Sequence, residues 1–231
     1  AYFNSQTGTS LVIIIGVMEV SGFKDTIRWY DENAVKYAQA TEMSAQKDEL
    51  ELFASLLKSG DEILDAGCGG GRDTQALERA GFPTTGIDIS GGLITEAKRS
   101  FPEGKFVEGS FLDLPFRSEQ FGGVWANASL LHLQTVEDVR RSFREFCRVL
   151  KNDGILHVSV KAQTGDKKTA VVSDKLSGHD RFFQYFTLEE INLLLEESGF
   201  EVIVSEQYNE ASKSPDGRSE VEWLHLVGRK V

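Results

Sequence analysis

The segment Ile63 to Asp73, ILDAGCGGGRD, constrains this chain more than any other. A β-like run from Glu62 to Asp65 passes through Gly67, Gly69, Gly70 and Gly71 into a helical pattern, Asp73 to Ala80, which Gly81 stops with Pro83 beyond. Strand, glycine turn and helix in that order let backbone approach a ligand closely, because glycine has no Cβ and tolerates positive φ. A tight βα turn with no ligand has the same pattern, so the turn alone leaves both readings open. The dinucleotide fingerprint G-x-G-x-x-G competes for the segment, but Arg72 stands where its third glycine belongs. Asp65, acidic and just before the turn, suits a ligand that carries an ammonium group.

The rest of the chain alternates strand and helix. Leu50, Leu52, Phe53, Leu56 and Leu57 recur at helical spacing between Asp48 and Lys58, with Gly60 as a stop. Thr84 to Ile89 reads as a strand, Ser90 as the cap of a helix to about Arg99, Lys105 to Gly109 as a third strand and Val124 to Ala126 as a fourth. Val136, Val139, Phe143, Phe146, Cys147 and Leu150 share one face of a long helix. Asn152, Asp153 and Gly154 then turn into the strand Ile155 to Val160. Thr187 and Glu190 form a capping box for a helix through Ser198, stopped by Gly199. Glu201 to Tyr208 and Glu222 to Gly228 read as two strands joined by a Ser/Pro/Gly-rich turn. The expectation is an α/β fold: a Rossmann-like, doubly wound, mostly parallel seven-stranded sheet with a C-terminal antiparallel hairpin.

With 231 residues, 40% of them hydrophobic, the chain suits a single domain, which we expect over residues 18–231. Residues 1–17 are expected to be a tag or a non-native, disordered leader, since the chain starts at Ala1 and Met18 precedes a more ordinary polar stretch. Gln163 to Asp180 is polar and aperiodic, and residues 163–180 are expected to form a mobile loop near the site. A net charge of −11 opposes binding to nucleic acid or an anionic membrane. The apolar run Leu11 to Val17 falls short of the roughly 20 residues of a spanning helix. Two cysteines, Cys68 and Cys147, give neither a disulfide framework nor metal-ligand spacing, which points to a cytoplasmic protein without a metal.

ILDAGCGGGRD resembles the first motif of class I S-adenosylmethionine (SAM)-dependent methyltransferases, a hydrophobic residue followed by D-x-G-x-G-x-G. Gly86 to Ser90, GIDIS, resembles the second-strand motif in register, with Asp88 about 20 positions beyond the glycines, where an acidic residue accepts hydrogen bonds from ribose hydroxyls. GSFLDLPF, Gly109 to Phe116, resembles the family's loop before the fourth strand. It has Ser110 where an Asp is usual, and Asp113 reads as capping the local turn. FGGVWANASLLH, Phe121 to His132, resembles the fourth-strand motif, and LKNDGILHVSV, Leu150 to Val160, the stretch that ends in the fifth strand. Within the family the chain is most similar to methyltransferase type 11, or methyltransferase domain 25. The resemblance implies SAM as cofactor and S-adenosylhomocysteine as product. It implies a cofactor site of Asp65, Ala66, Gly67, Cys68, Gly69, Arg72, Asp88, Ile89, Ser110, Phe111 and Asn127. Tyr30 and Tyr37, in a polar segment with Trp29, would close over the sulfonium from an N-terminal lid.

Methyl transfer from a sulfonium needs alignment first and a base only for a protonated acceptor. His132, after the fourth strand, and Tyr185 are the candidate catalytic residues, and Lys161 and Arg181 the candidate substrate contacts. His157 and His225 fall inside strands and read as packing, as do Phe182, Phe183 and Phe186; the role of His179 is open. Arg140, Arg141, Arg144 and Arg148 are interleaved with Glu137 and Glu145, a paired, solvated face. The expected partner is a small-molecule acceptor, for a monomer or homodimer. Alternatives are a tRNA or protein methyltransferase, or a nucleotide-binding, NAD-linked Rossmann module.

Overall fold

A computed structural model describes residues 22–41, 47–173, 180–213 and 218–231. The leader expected over residues 1–17, and His179, lie outside the described residues. The strands are β1 (Ile63–Ala66), β2 (Thr84–Asp88), β3 (Lys105–Glu108), β4 (Phe121–Asn127), β5 (Leu150–Lys161), β6 (Thr169–Ser173), β7 (Asp180–Gln184), β8 (Phe200–Asn209) and β9 (Glu222–Lys230). The helices are α1 (Gly22–Thr41), α2 (Lys47–Leu56), α3 (Arg72–Arg79), α4 (Gly91–Ser100), α5 (Val136–Val149), α6 (Leu188–Glu197) and α7 (Glu210–Lys213).

Seven strands form one sheet in the order β3-β2-β1-β4-β5-β9-β8. The first five are mutually parallel, and β9 runs antiparallel to both β5 and β8. The doubly wound sheet and C-terminal hairpin expected from the sequence are therefore present. Successive strand residues serve opposite faces: Leu64 and Val124 join the core under α5 and α6, while Ile63 and Trp125 join Phe53 of α2 and Leu77 of α3. The inner face of α5 buries Val139, Phe143, Phe146 and Val149, at helical spacing. Ser90 Oγ accepts the Leu93 N–H at 3.1 Å to cap α4, and Thr187 and Glu190 close the capping box of α6. Chain order reverses between β1 and β4, which opens a crevice at their carboxyl ends, where open α/β sheets bind ligands.

Four local features differ from the sequence reading. The polar segment carrying Trp29, Tyr30 and Tyr37 is the 20-residue helix α1. β4 starts at Phe121, because Gly122 and Gly123 are strand residues under close neighbours: a Cβ at Gly123 would lie 2.7 Å from Phe53 Cζ. The expected turn at Asn152 to Gly154 is an irregularity inside β5, where Asp153 takes φ 61° and the register with β4 shifts. The segment expected to be an aperiodic loop contains β6, paired antiparallel to β7. Among the described residues no helix is long and apolar enough to cross a membrane.

Candidate active site

The turn after β1 is built for close approach. Gly67, Gly69 and Gly71 take φ of 84°, 54° and 85°. A Cβ at Gly67 would fall 2.3 Å from Ser129 Cβ, and one at Gly71 would fall 2.8 Å from Phe106 Cζ, so space as well as φ demands glycine. The N–H groups of Gly67 and Cys68 both donate to Ile87 O, tying the turn to β2. Asp88, the last residue of β2, accepts the Gly69 N–H on Oδ2 and the Ser90 N–H on Oδ1, each at 2.9 Å. Burial raises its carboxyl above the ordinary value, and the amides of Ser90, Gly69 and Ile89 oppose the rise.

Asp65 is 2% exposed, does not line the cavity and accepts a 2.6 Å hydrogen bond from Thr74 Oγ1. Burial, and then the charge of Asp73, push its carboxyl up to about 8, so it is protonated at neutral pH. Asp73 does line the cavity. It takes Arg72 Nε at 2.6 Å and Nη2 at 2.8 Å, Trp125 Nε1 at 3.1 Å and Asn127 Nδ2 at 2.8 Å. Burial alone would raise its carboxyl, but the Arg72 guanidinium and these hydrogen bonds hold it below the ordinary value. The negative charge of the turn therefore sits on Asp73, which sequence reasoning missed. The adjacent Arg72 was the available signal. Asn127 gives its amide N–H to Asp73 and leaves Oδ1 buried without a partner.

His132 closes the 3-10 turn Leu130–His132 after β4. Its Nδ1 lies 2.8 Å from Phe182 O, which only accepts, so Nδ1 carries the proton. Nε2 is then the acceptor, and the Tyr30 hydroxyl donates to it at 2.9 Å. Burial, together with Arg181 and Lys161, lowers the imidazole to about 4 against the Phe182 hydrogen bond, so His132 is neutral rather than poised near pH 7. α1 reaches this point because it is fastened near its start and again at its middle. Thr26 Oγ1 accepts the Phe182 N–H at 2.9 Å, and Asp31 Oδ1 accepts from Ser90 Oγ and the Gly92 N–H at the start of α4.

One cavity joins most of the expected residues: Tyr30 and Tyr37 from α1; Gly67, Cys68, Gly69 and Arg72 from the turn; Asp88 and Ile89 after β2; Ser110 and Phe111 after β3; Asn127 and His132 after β4. Gly70, Ser90 and Ser129, also lining it, were not anticipated. Asp65, Ala66, Tyr185, Lys161 and Arg181 do not line it. Tyr185 packs against the main core, with its N–H on Lys168 O. Lys161 Nζ lies 4.3 Å from the centre of the Phe183 ring, and the Arg181 guanidinium 4.0 Å from that of Trp29. Both cations thus face aromatic rings rather than open cavity.

A family model described as a methyltransferase domain matches residues 64–158. The 2-phytyl-1,4-naphtoquinone methyltransferase of Nostoc sp. is 30% identical over 186 residues, covering 74% of this chain and 73% of that protein. A sterol 24-C-methyltransferase of Gibberella zeae is 33% identical over 109 residues; that match covers 44% of this chain and 28% of the relative's length. The solved structure of Burkholderia thailandensis 1,6-didemethyltoxoflavin-N1-methyltransferase, with 1,6-didemethyltoxoflavin and S-adenosylhomocysteine bound, shares the fold. Its TM-score is 0.67 at 20% identity, over 90% of this chain and 88% of that one.

Proposed function

Because the chain belongs to the class I SAM-dependent methyltransferases, we propose that it transfers a methyl group from SAM to a small-molecule acceptor held above the ends of β4 and β5. The observation that carries the reading is a single cavity with a glycine cradle and an acidic strand end on one side and the Tyr30–His132 pair on the other. The residues present fit the cofactor. The cradle has room only where glycine lacks a Cβ, and Asn127 Oδ1 is a buried acceptor without a donor.

In this reading Asp88 accepts the ribose hydroxyls, which displace its present amide partners only in part. Ile89, Ser110 and Phe111 enclose the adenine. Asn127 Oδ1 and Asp73 receive the ammonium, and Arg72 the carboxylate. Tyr30 and Tyr37 cover the sulfonium, and α1 excludes water. When bound, SAM supplies an activated methyl group whose leaving group is a neutral thioether. The chain's part is then alignment and desolvation, which for such a donor supply most of the rate. Lys161 and Arg181 act on the acceptor end through Phe183 and His132 rather than by contact. The net charge of −11 favours a small molecule over a nucleic acid.

The test is incubation with methyl-labelled SAM and a metabolite extract, alongside tRNA and protein fractions. Label should enter a small molecule, and Asp88→Ala should weaken SAM binding by about 1–3 kcal/mol, the scale of lost charge-assisted hydrogen bonds. Label confined to tRNA or protein would replace the acceptor class, and unchanged affinity in Asp88→Ala would sink the ribose assignment.

A further inference from the structure

We propose that Tyr30 and His132 form a proton relay for the methyl acceptor, and that this acceptor is a neutral, largely apolar molecule bearing a conjugated, weakly acidic O–H or N–H. The proposal rests on the methyltransferase reading above and specifies its second substrate.

The relay follows from geometry. Phe182 O fixes the proton on His132 Nδ1, so Nε2 faces the Tyr30 hydroxyl as an acceptor at 2.9 Å. With the Tyr30 proton directed at Nε2, the lone pairs of its oxygen are left for other donors. The charge of Arg181, whose guanidinium stacks on Trp29, also acts on that oxygen. Both residues of the pair line the cavity. As the acceptor heteroatom bonds to the methyl carbon and the C–S bond breaks toward sulfur, the acceptor's proton passes to Tyr30 Oη. The Tyr30 proton passes to His132 Nε2. Once the product leaves, the proton returns from Nε2 through Tyr30 Oη to water that enters the cavity, so the one positive charge brought by the sulfonium leaves as a hydronium ion.

The acceptor class follows from what surrounds the pair. Phe23, Thr26 and Ile27 of α1, with Leu133, bound the cavity beside His132, and none of them carries charge. Arg72 is the one cation among the described lining residues, and it is held bidentate by Asp73. Lys161 and Arg181 stand over Phe183 and Trp29. A carboxylate or phosphate on the acceptor would therefore find no cation in the lining outside the Arg72–Asp73 pair, and an ammonium would meet Asp73 and Asp88 only where the cofactor sits. The groups facing His132 are Tyr30 of α1, the Phe182 carbonyl and Arg181 of β7, and Lys161 of β5, and the two cations disfavour its protonated form. A base so weakened removes the proton as the new bond forms, and an X–H that is acidic from the start, as one conjugated to a π system is, suits it best.

Calorimetry on the complex with S-adenosylhomocysteine tests this, with 4-nitrophenol and 1-naphthol as acceptor probes and benzoate and benzylamine as charged controls. Both phenols should bind and neither control should. Tyr30→Phe and His132→Gln should each weaken the phenols by roughly tenfold, measured on enzyme saturated with S-adenosylhomocysteine. With methyl-labelled SAM, 4-nitrophenol should accept label in the wild type and lose most of it in Tyr30→Phe. Failure of the phenols to bind, equal binding of benzoate or benzylamine, or full phenol binding to Tyr30→Phe would each overturn the proposal. Failure of S-adenosylhomocysteine to bind at all would instead overturn the methyltransferase reading.

Discussion

Asp65 and Asp73 stand on either side of the glycine turn, and their environments assign opposite protonation states. Asp65 has one donor, Thr74, and no cation in contact; Asp73 has Arg72, Trp125 and Asn127. Asp65 keeps its proton to about 8 in the folded state, against 3.8 ordinarily. Its contribution is thus fully present below pH 3.8 and is lost as pH rises toward 8. Asp65→Asn keeps an acceptor for Thr74 and removes this loss, so its melting temperature should exceed the wild type's by a margin that grows from pH 4 to pH 8. A constant or absent margin would contradict the assignment. The imidazole of His132, lowered to about 4, is neutral above pH 5, so the acid limb of kcat/KM should fall near pH 4 rather than near 6.5. At this scale Asp88 and the glycines were legible because their spacing is itself the signal. Asp73 was not: the adjacent Arg72 signals a charge pair, but the role of that pair depends on where α3 begins relative to Trp125 and Asn127, which are distant in sequence.

The helix α1 is the element whose removal would open the cavity. Asp31 joins it to the start of α4 through Ser90 and Gly92, Thr26 joins it to β7, and Tyr30 joins it to His132. Asp31→Ala loses a carboxylate at a helix N-terminus together with two hydrogen bonds, a cost of about 1–2 kcal/mol. Amide exchange in residues 22–41 should accelerate and S-adenosylhomocysteine affinity should fall several-fold, while α5 and α6 keep their protection. Unchanged exchange in α1 would show that Asp31 does not fasten it. α5 and α6 were legible because each pairs an apolar stripe with a side-chain cap at its start, Thr135 and Thr187. α1 was not, since it is polar on average and its aromatic residues face neighbours that are distant in sequence. β6 was missed because among the described residues it pairs with β7 alone and its Val171 and Val172 remain exposed.

Across the whole molecule, the sheet buries two histidines that the sequence correctly assigned to packing. His157 stacks on Trp125 at 3.6 Å and lies 5.0 Å from His225, and neither imidazole has a hydrogen-bond partner for its nitrogens. Burial holds both below the ordinary value, His157 also through His225 and His225 against the pull of Glu49. Groups lowered on folding give stability that is present above about pH 6.5 and lost as pH falls, at up to about 1.4 kcal/mol per pH unit for each. Denaturant unfolding between pH 7 and 5 should show that loss, and His157→Phe should reduce it; identical slopes would contradict the account. The alternation of strands and helices predicted the parallel half of the sheet. It did not reveal that β9 inserts between β5 and β8, because strand order within a hairpin-ended sheet is set by long-range pairing such as Ser159 with His225. That pairing completes the platform on which β1, β2 and β4 present the candidate site. Calorimetric titration with S-adenosylhomocysteine and, separately, NADH tests that site most directly. S-adenosylhomocysteine should bind saturably and one-to-one, more weakly in Asp88→Ala, and NADH should not bind. Binding of NADH without binding of S-adenosylhomocysteine would contradict the methyltransferase reading.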